Sequence, residues 1–123
     1  MLRALGDMVD SGDAPGEIAV YGGQQPESAN DPVGDQPLLA RLVFSRPAFG
    51  HATEGVIGAR PIEQSSAIAT GRATWARISD GAGRAIMDID VGEEGAALNL
   101  SNVSLQEGDA VEVVAMVWRA PAG

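Results

Sequence analysis

Apolar and polar residues alternate along most of this chain in short runs, with the period of a β-strand rather than a helix. In "LLARLVFS", Leu38, Ala40, Leu42 and Phe44 alternate with Leu39, Arg41, Val43 and Ser45. That pattern predicts a strand buried on one face and partly covered on the other. "GEIAVYGG" predicts a strand ending at Gly22 and Gly23, and "GVIGARPI" a short one cut by Pro61. Residues 73–79 and 84–91 predict a hairpin around Asp80–Gly83, whose glycines supply the positive φ of a tight reversal. Residues 65–71 are ambiguous between strand and loop. "ALNLS" and "NVSL" predict a further pair, and "AVEVVAMVWRA" the last long strand. Only the start departs from this period: Leu2, Leu5, Met8 and Val9 have the spacing of one short helix.

Between these runs lie turn signals, and strands so closely spaced argue for antiparallel all-β architecture rather than βαβ units. The expectation is therefore one all-β domain, a single antiparallel β-sandwich or jelly-roll-like fold over residues 16–123. A short N-terminal helix or arm precedes it over residues 1–15. Residues 24–37, "QQPESANDPVGDQP", hold three prolines and almost nothing apolar. Such a loop is uncommon in a small domain without a purpose, which makes it a candidate partner-binding arm beside the plain reading of a surface loop.

Composition sharpens the picture. A chain of 123 residues is one domain's worth, with 16 Gly and 7 Pro set against helix. There is no cysteine, so disulfides and thiolate metal sites are excluded. No apolar run approaches the roughly 20 residues that span a bilayer, and the N-terminus lacks the apolar core of a secretory signal. Eight basic residues face seventeen acidic ones, giving a net charge of −9. A phosphate backbone repels such a chain, so neither nucleic acid nor membrane is an expected partner.

The chemistry-bearing residues form no enzyme signature. Asp88 and Asp90 alternate with Met87, Ile89 and Val91, so one set faces the core and the other is expected to face solvent. "DIDVGEEG" echoes a calcium loop, but Val91 stands where a third ligand belongs and Asn99 occupies the twelfth position. His51 is the single histidine, too few for a zinc site, and no G-x-S-x-G elbow accompanies it. No cofactor is implied. Trp75 and Arg77 share a strand face, and Trp118 and Arg119 adjoin near the C-terminus. Trp and Arg are enriched at protein interfaces, although a Trp capping the domain edge fits equally.

The pieces "VYGGQQP", "LLARLVFSRPAFG", "ATWARISDGAGRAIMDIDVG" and "AALNLSNVSLQEGDAVEV" give the chain a resemblance. In this order they are similar to a family of small β-rich virion proteins of tailed bacteriophages, over roughly residues 16–118. The motifs are structural rather than catalytic. The loop at 24–37 and the early stop at "RAPAG" depart from the family pattern.

The resemblance implies a capsid decoration (cement) protein on the outer surface of the virion head, made in the host bacterial cytoplasm. Its partner would be the major capsid protein, with the chain itself a homo-oligomer on the capsid. Leu2, Leu5, Trp75, Arg77, Trp118 and Arg119 are the partner-binding candidates, with the 24–37 loop. Two other readings stay open: a tail or baseplate accessory, and a carbohydrate-binding module for host attachment using Trp75, Trp118 and Tyr21.

Overall fold

The computed structural model describes residues 15–28, 33–34, 36–45, 56–58 and 62–119. Among them no helix occurs and every regular element is a strand. These are β1 (Glu17–Tyr21), β2 (Leu38–Val43), β3 (Val56–Gly58), β4 (Ser65–Ser66), β5 (Gly71–Arg72) and β6 (Trp75–Ser79). They continue with β7 (Ala85–Gly92), β8 (Leu98–Leu100), β9 (Ser104–Leu105), β10 (Ala110–Val111) and β11 (Val113–Arg119). The fold is all-β, as the alternation predicts. The expected N-terminal helix, with Leu2 and Leu5, and the histidine at 51 lie outside the described residues.

Seven strands form one sheet in the order β2-β1-β6-β7-β8-β11-β3, and two ribbons, β10–β4 and β5–β9, complete the set. The sheet is mixed, which corrects the antiparallel expectation. β7 and β8 run parallel, Val91 beside Leu98 and Gly92 beside Asn99. Only the last residues of β7 overlap the first of β8, so the chain steps sideways through 93–97 and continues in the same direction. Parallel neighbours ordinarily need a crossover of about a dozen residues to return to the start of the sheet. Here no return is made.

The step also displaces the expected pairing of "ALNLS" with "NVSL". Leu98, Asn99 and Leu100 are all buried, so β8 needs cover on both faces and takes a central place between β7 and β11. β9 pairs with β5 instead. The expected last strand is two elements as well. Val111 of β10 pairs with Ser65 of β4, whereas β11 pairs with β8 and β3. A register shift between Val113 and Ala115 turns Val114 outward, 63% exposed.

One apolar core unites these pieces. β1 gives Ile18 and Val20, β2 Leu39, Ala40 and Leu42, β6 Ala76 and Ile78, and β7 Ile89. Leu98, Leu100 and Met116 extend the core across β8 and β11, and the ribbon segments add Ala67, Ala73, Val103, Leu105 and Val111. Backbone bonds tie the ribbon segments to the rest: Ile68 N donates to Leu39 O at 2.8 Å and Thr74 N to Tyr21 O at 3.0 Å.

Candidate functional site

Side chains of adjacent antiparallel strands that lie opposite one another share a face. In β1, β6 and β7, Ile18 pairs with Ile78, Val20 with Ala76, Ala76 with Ile89 and Ile78 with Met87, and these build the core face. The other face brings together Tyr21 with Trp75, Trp75 with Asp90, and Arg77 with both Ala19 and Asp88.

Specific chemistry follows on that second face. The Tyr21 and Trp75 rings stack with centroids 4.6 Å apart and planes 15° from parallel. The Arg77 guanidinium carbon lies 5.6 Å from the Trp75 centroid, within cation–π range. Arg77 Nε donates to Asp88 Oδ1 at 2.8 Å and Arg77 Nη2 to Asp88 Oδ2 at 3.1 Å. This is the bidentate fork that a planar guanidinium makes with a carboxylate.

The partner-binding reading of Trp75 and Arg77 requires an open face, and the alternation places both Asp88 and Asp90 in solvent. The structure corrects this. Trp75 is 0% exposed, Arg77 is buried, and the Asp88 side chain is only 3% exposed; Asp90 alone is open. The physical reason is a return of the chain. Residues 22–28 cross the face, so residues that alternate outward are met by polypeptide rather than water. With its ring covered and stacked on Tyr21, Trp75 offers no platform to a sugar.

The crossing segment is fastened from β6. Trp75 Nε1 donates to Gly22 O at 3.1 Å, Thr74 Oγ1 to Gly23 O at 2.6 Å, and Arg77 Nη2 to Ser28 O at 3.4 Å. Its base is closed by Gly22 N donating to Pro37 O at 3.1 Å and Gln36 Nε2 to Gln24 O at 2.8 Å. Glycine is required here twice over. A Cβ on Gly22 would lie 2.9 Å from Arg72 O, and Gly23 has φ +79°, where a side chain is strained. Gly23, Gln24, Gln25, Glu27 and Ser28 face solvent. The loop at 24–37 is thus anchored where it is described, a role for Thr74, Trp75 and Arg77 that periodicity alone did not reveal. A signal was available: across an Asp80–Gly83 turn, a W-x-R strand and a D-x-D strand place Arg opposite Asp.

Asp90 and Glu93 also serve the backbone. Asp90 Oδ1 accepts from Ala97 N at 3.0 Å, and Glu93 Oε2 from Val103 N at 3.2 Å. Asn99, at the would-be twelfth ligand position, closes the 93–97 step instead. Its Oδ1 accepts from Ala96 N at 3.0 Å and its Nδ2 donates to Ala96 O at 2.8 Å. Among the described residues no group of three or more His, Asp or Glu side chains is placed to hold a metal ion.

At the hairpin tip Asp80 is buried, with Oδ1 accepting from Ala82 N and Arg84 N, each at 2.9 Å, and Oδ2 from Arg84 Nε at 3.1 Å. The Arg84 and Ala82 amides, with the Arg84 guanidinium, hold its carboxyl below the usual value against the opposing effect of burial.

Trp118 and Arg119 lie on β11, with backbone pairs to Ile57 and Val56 of β3. The structure does not bring them to the Trp75–Arg77 face: β11 and β6 are separated by β7 and β8. Shallow hollows open on the surface among the described residues. One of about 340 Å³ is lined by Val43, Phe44, Ser45, Glu63 and Gln64. Another of about 410 Å³ runs past Arg72, Thr74, Gly92, Glu93, Glu94 and Val103. No protein-family model, no curated protein and no solved structure matches this chain.

Proposed function

We propose that the chain is a structural protein of a tailed-bacteriophage particle, a decoration (cement) protein that binds the outer capsid surface through the major capsid protein. In this reading the mixed sheet and the two ribbons form a sandwich or jelly-roll-like body. The observation that supports the proposal is the fastened segment 22–28, added to the sequence resemblance over residues 16–118. A polar segment whose shape is set before docking loses little conformational freedom on binding. Trp75 and Arg77 then act as positioning residues beneath the loop, and Gln24, Gln25, Glu27 and Ser28 on its crest make the contact. Leu2 and Leu5, with Trp118 and Arg119 on β11, supply further anchors.

The mechanism is mechanical. A protein that binds only the assembled lattice stabilises it by mass action, and copies on neighbouring sites form the homo-oligomer. The net charge of −9 keeps free copies dispersed and away from packaged DNA. Counting copies in purified particles by quantitative mass spectrometry tests this. The expected result is a number comparable to the major capsid protein. A handful per particle would overturn head decoration and favour the tail or baseplate.

A further inference from the structure

The geometry points to a latent modification site at Asp80–Gly81, a succinimide-forming bond that the folded hairpin keeps silent. It is the one Asp–Gly step in the chain, and the chain has no Asn–Gly. Glycine after aspartate removes the Cβ that would shield the following amide nitrogen, so this step is the most reactive of its kind. In the reaction the Gly81 nitrogen bonds to the Asp80 side-chain carbon Cγ. The Cγ–OH bond of the protonated carboxyl breaks and one water leaves. Hydrolysis of the cyclic imide then returns that water at either carbonyl. Opening at Cγ restores aspartate, while opening at the main-chain carbonyl gives isoaspartate, with one extra methylene in the backbone.

Two features of the turn oppose the first step. The nitrogen must approach Cγ from above the carboxyl plane, but both oxygens are fixed by donors: Ala82 N and Arg84 N on Oδ1, Arg84 Nε on Oδ2. Turning the plane toward Gly81 breaks those bonds. The same donors favour the ionised carboxylate, which has no hydroxyl to lose. The turn is closed from the main chain as well, Gly83 N donating to Asp80 O and Asp80 N to Arg84 O, each at 3.0 Å. Conversion therefore requires the hairpin tip to open.

Isoaspartate outlasts the opening that allowed it, because return to aspartate requires the imide to form and hydrolyse again. The inserted methylene moves the carboxylate off the position that satisfies the Ala82 and Arg84 amides, and shifts the register of β6 against β7 at the middle of the sheet. The bond is a molecular record of hairpin opening, whatever the chain binds.

The test is isoaspartate at residue 80, mapped by peptide mass spectrometry after prolonged warm incubation at mildly acidic pH. The native chain is compared with the same chain unfolded in guanidinium. The native chain should convert at least roughly tenfold more slowly, the factor that about 1.4 kcal/mol of local opening free energy supplies. Gly83→Ala retains the reactive bond but strains a position at φ +87°, where an added Cβ meets nothing within 4 Å. It should fall between the two while circular dichroism stays native. Arg84→Ala keeps both backbone donors and should accelerate conversion less than Gly83→Ala. Equal rates in native and unfolded chains would overturn the inference, as would a Gly83→Ala variant no faster than the parent.

Discussion

The two faces of the β1–β6–β7 sheet are made by the same residues' neighbours and follow opposite rules. The inner face is apolar throughout, Ile18 and Val20 beside Ala76, Ile78 and Ile89, and any well-packed set of similar volume would serve. The outer face is buried too, but with Trp75 stacked on Tyr21, Arg77 forked onto Asp88, and three side chains donating to carbonyls of one crossing segment. Burial on the inside is nonspecific adhesion. On the outside each group has a named partner, and losing one leaves another unsatisfied. The inner face therefore holds the domain together, and the outer face fixes the segment 22–28.

The largest test of that difference removes a single charge. Asp88→Ala takes the carboxylate partner from the Arg77 guanidinium, whose side chain is 11% exposed. Breaking a buried pair by deleting one partner typically costs about 3–5 kcal/mol, so chemical denaturation should show a loss of that order. Arg77→Met together with Asp88→Leu should recover most of the loss, because a packed apolar pair replaces a desolvated ionic one. Yet the double variant no longer donates to Ser28 O, so amide exchange over residues 22–28 should stay fast while global stability returns. If loop protection returned with stability, the outer face would be mere core and the comparison would collapse.

A smaller effect sharpens the same contrast. Trp75→Phe removes the indole N–H that donates to Gly22 O and part of a side chain that is 0% exposed. The expected destabilisation is roughly 1–3 kcal/mol, with faster exchange at residues 22–28. Ile78→Val on the inner face should cost about 0.5–1.5 kcal/mol and leave exchange in that segment unchanged relative to the domain. Equal loop exchange in the two variants would remove the positioning role from Trp75.

Much of this was legible in the residue pattern, for reasons that also mark where reading stops. Period-two alternation located β1, β2 and the β6–β7 hairpin, because a strand half in the core must alternate. It assigned Met87, Ile89 and Val91 to one face and Asp88 and Asp90 to the other correctly. It could not say what covers the second face, since a covering segment is a long-range return and leaves no periodicity. Hence Asp88 reads as wet and is 3% exposed, and Trp75, which reads equally as an interface anchor or an edge cap, is sealed. The run Leu98–Asn99–Leu100 showed a strand but not its partner, because burial on both faces says central and not beside which neighbour. In the same way, Asp90, Glu93 and Asn99 resemble a partial ligand set in sequence only because a sideways step between strands also needs side-chain acceptors.

The smallest expected effect lies where the two faces meet, at the turn that carries both. Asp80 has its carboxyl pKa lowered from 3.8, mainly by the Arg84 amide, with the Ala82 amide and the Arg84 guanidinium adding to it. A carboxyl whose folded pKa is depressed binds protons more tightly in the unfolded chain, so its contribution is complete above that unfolded value. It declines as pH falls through the interval below 3.8 and is gone beneath the folded value. Asp80→Asn removes the titrating group, so its stability should lose less between neutral and acidic pH than the parent's does. Acid titration of both chains by circular dichroism reads the difference in slope. Because residues 75–79 lead into this turn and 85–92 leave it, both faces should report the same acid midpoint. A loop signal melting well before the core would show that the segment 22–28 does not depend on this turn.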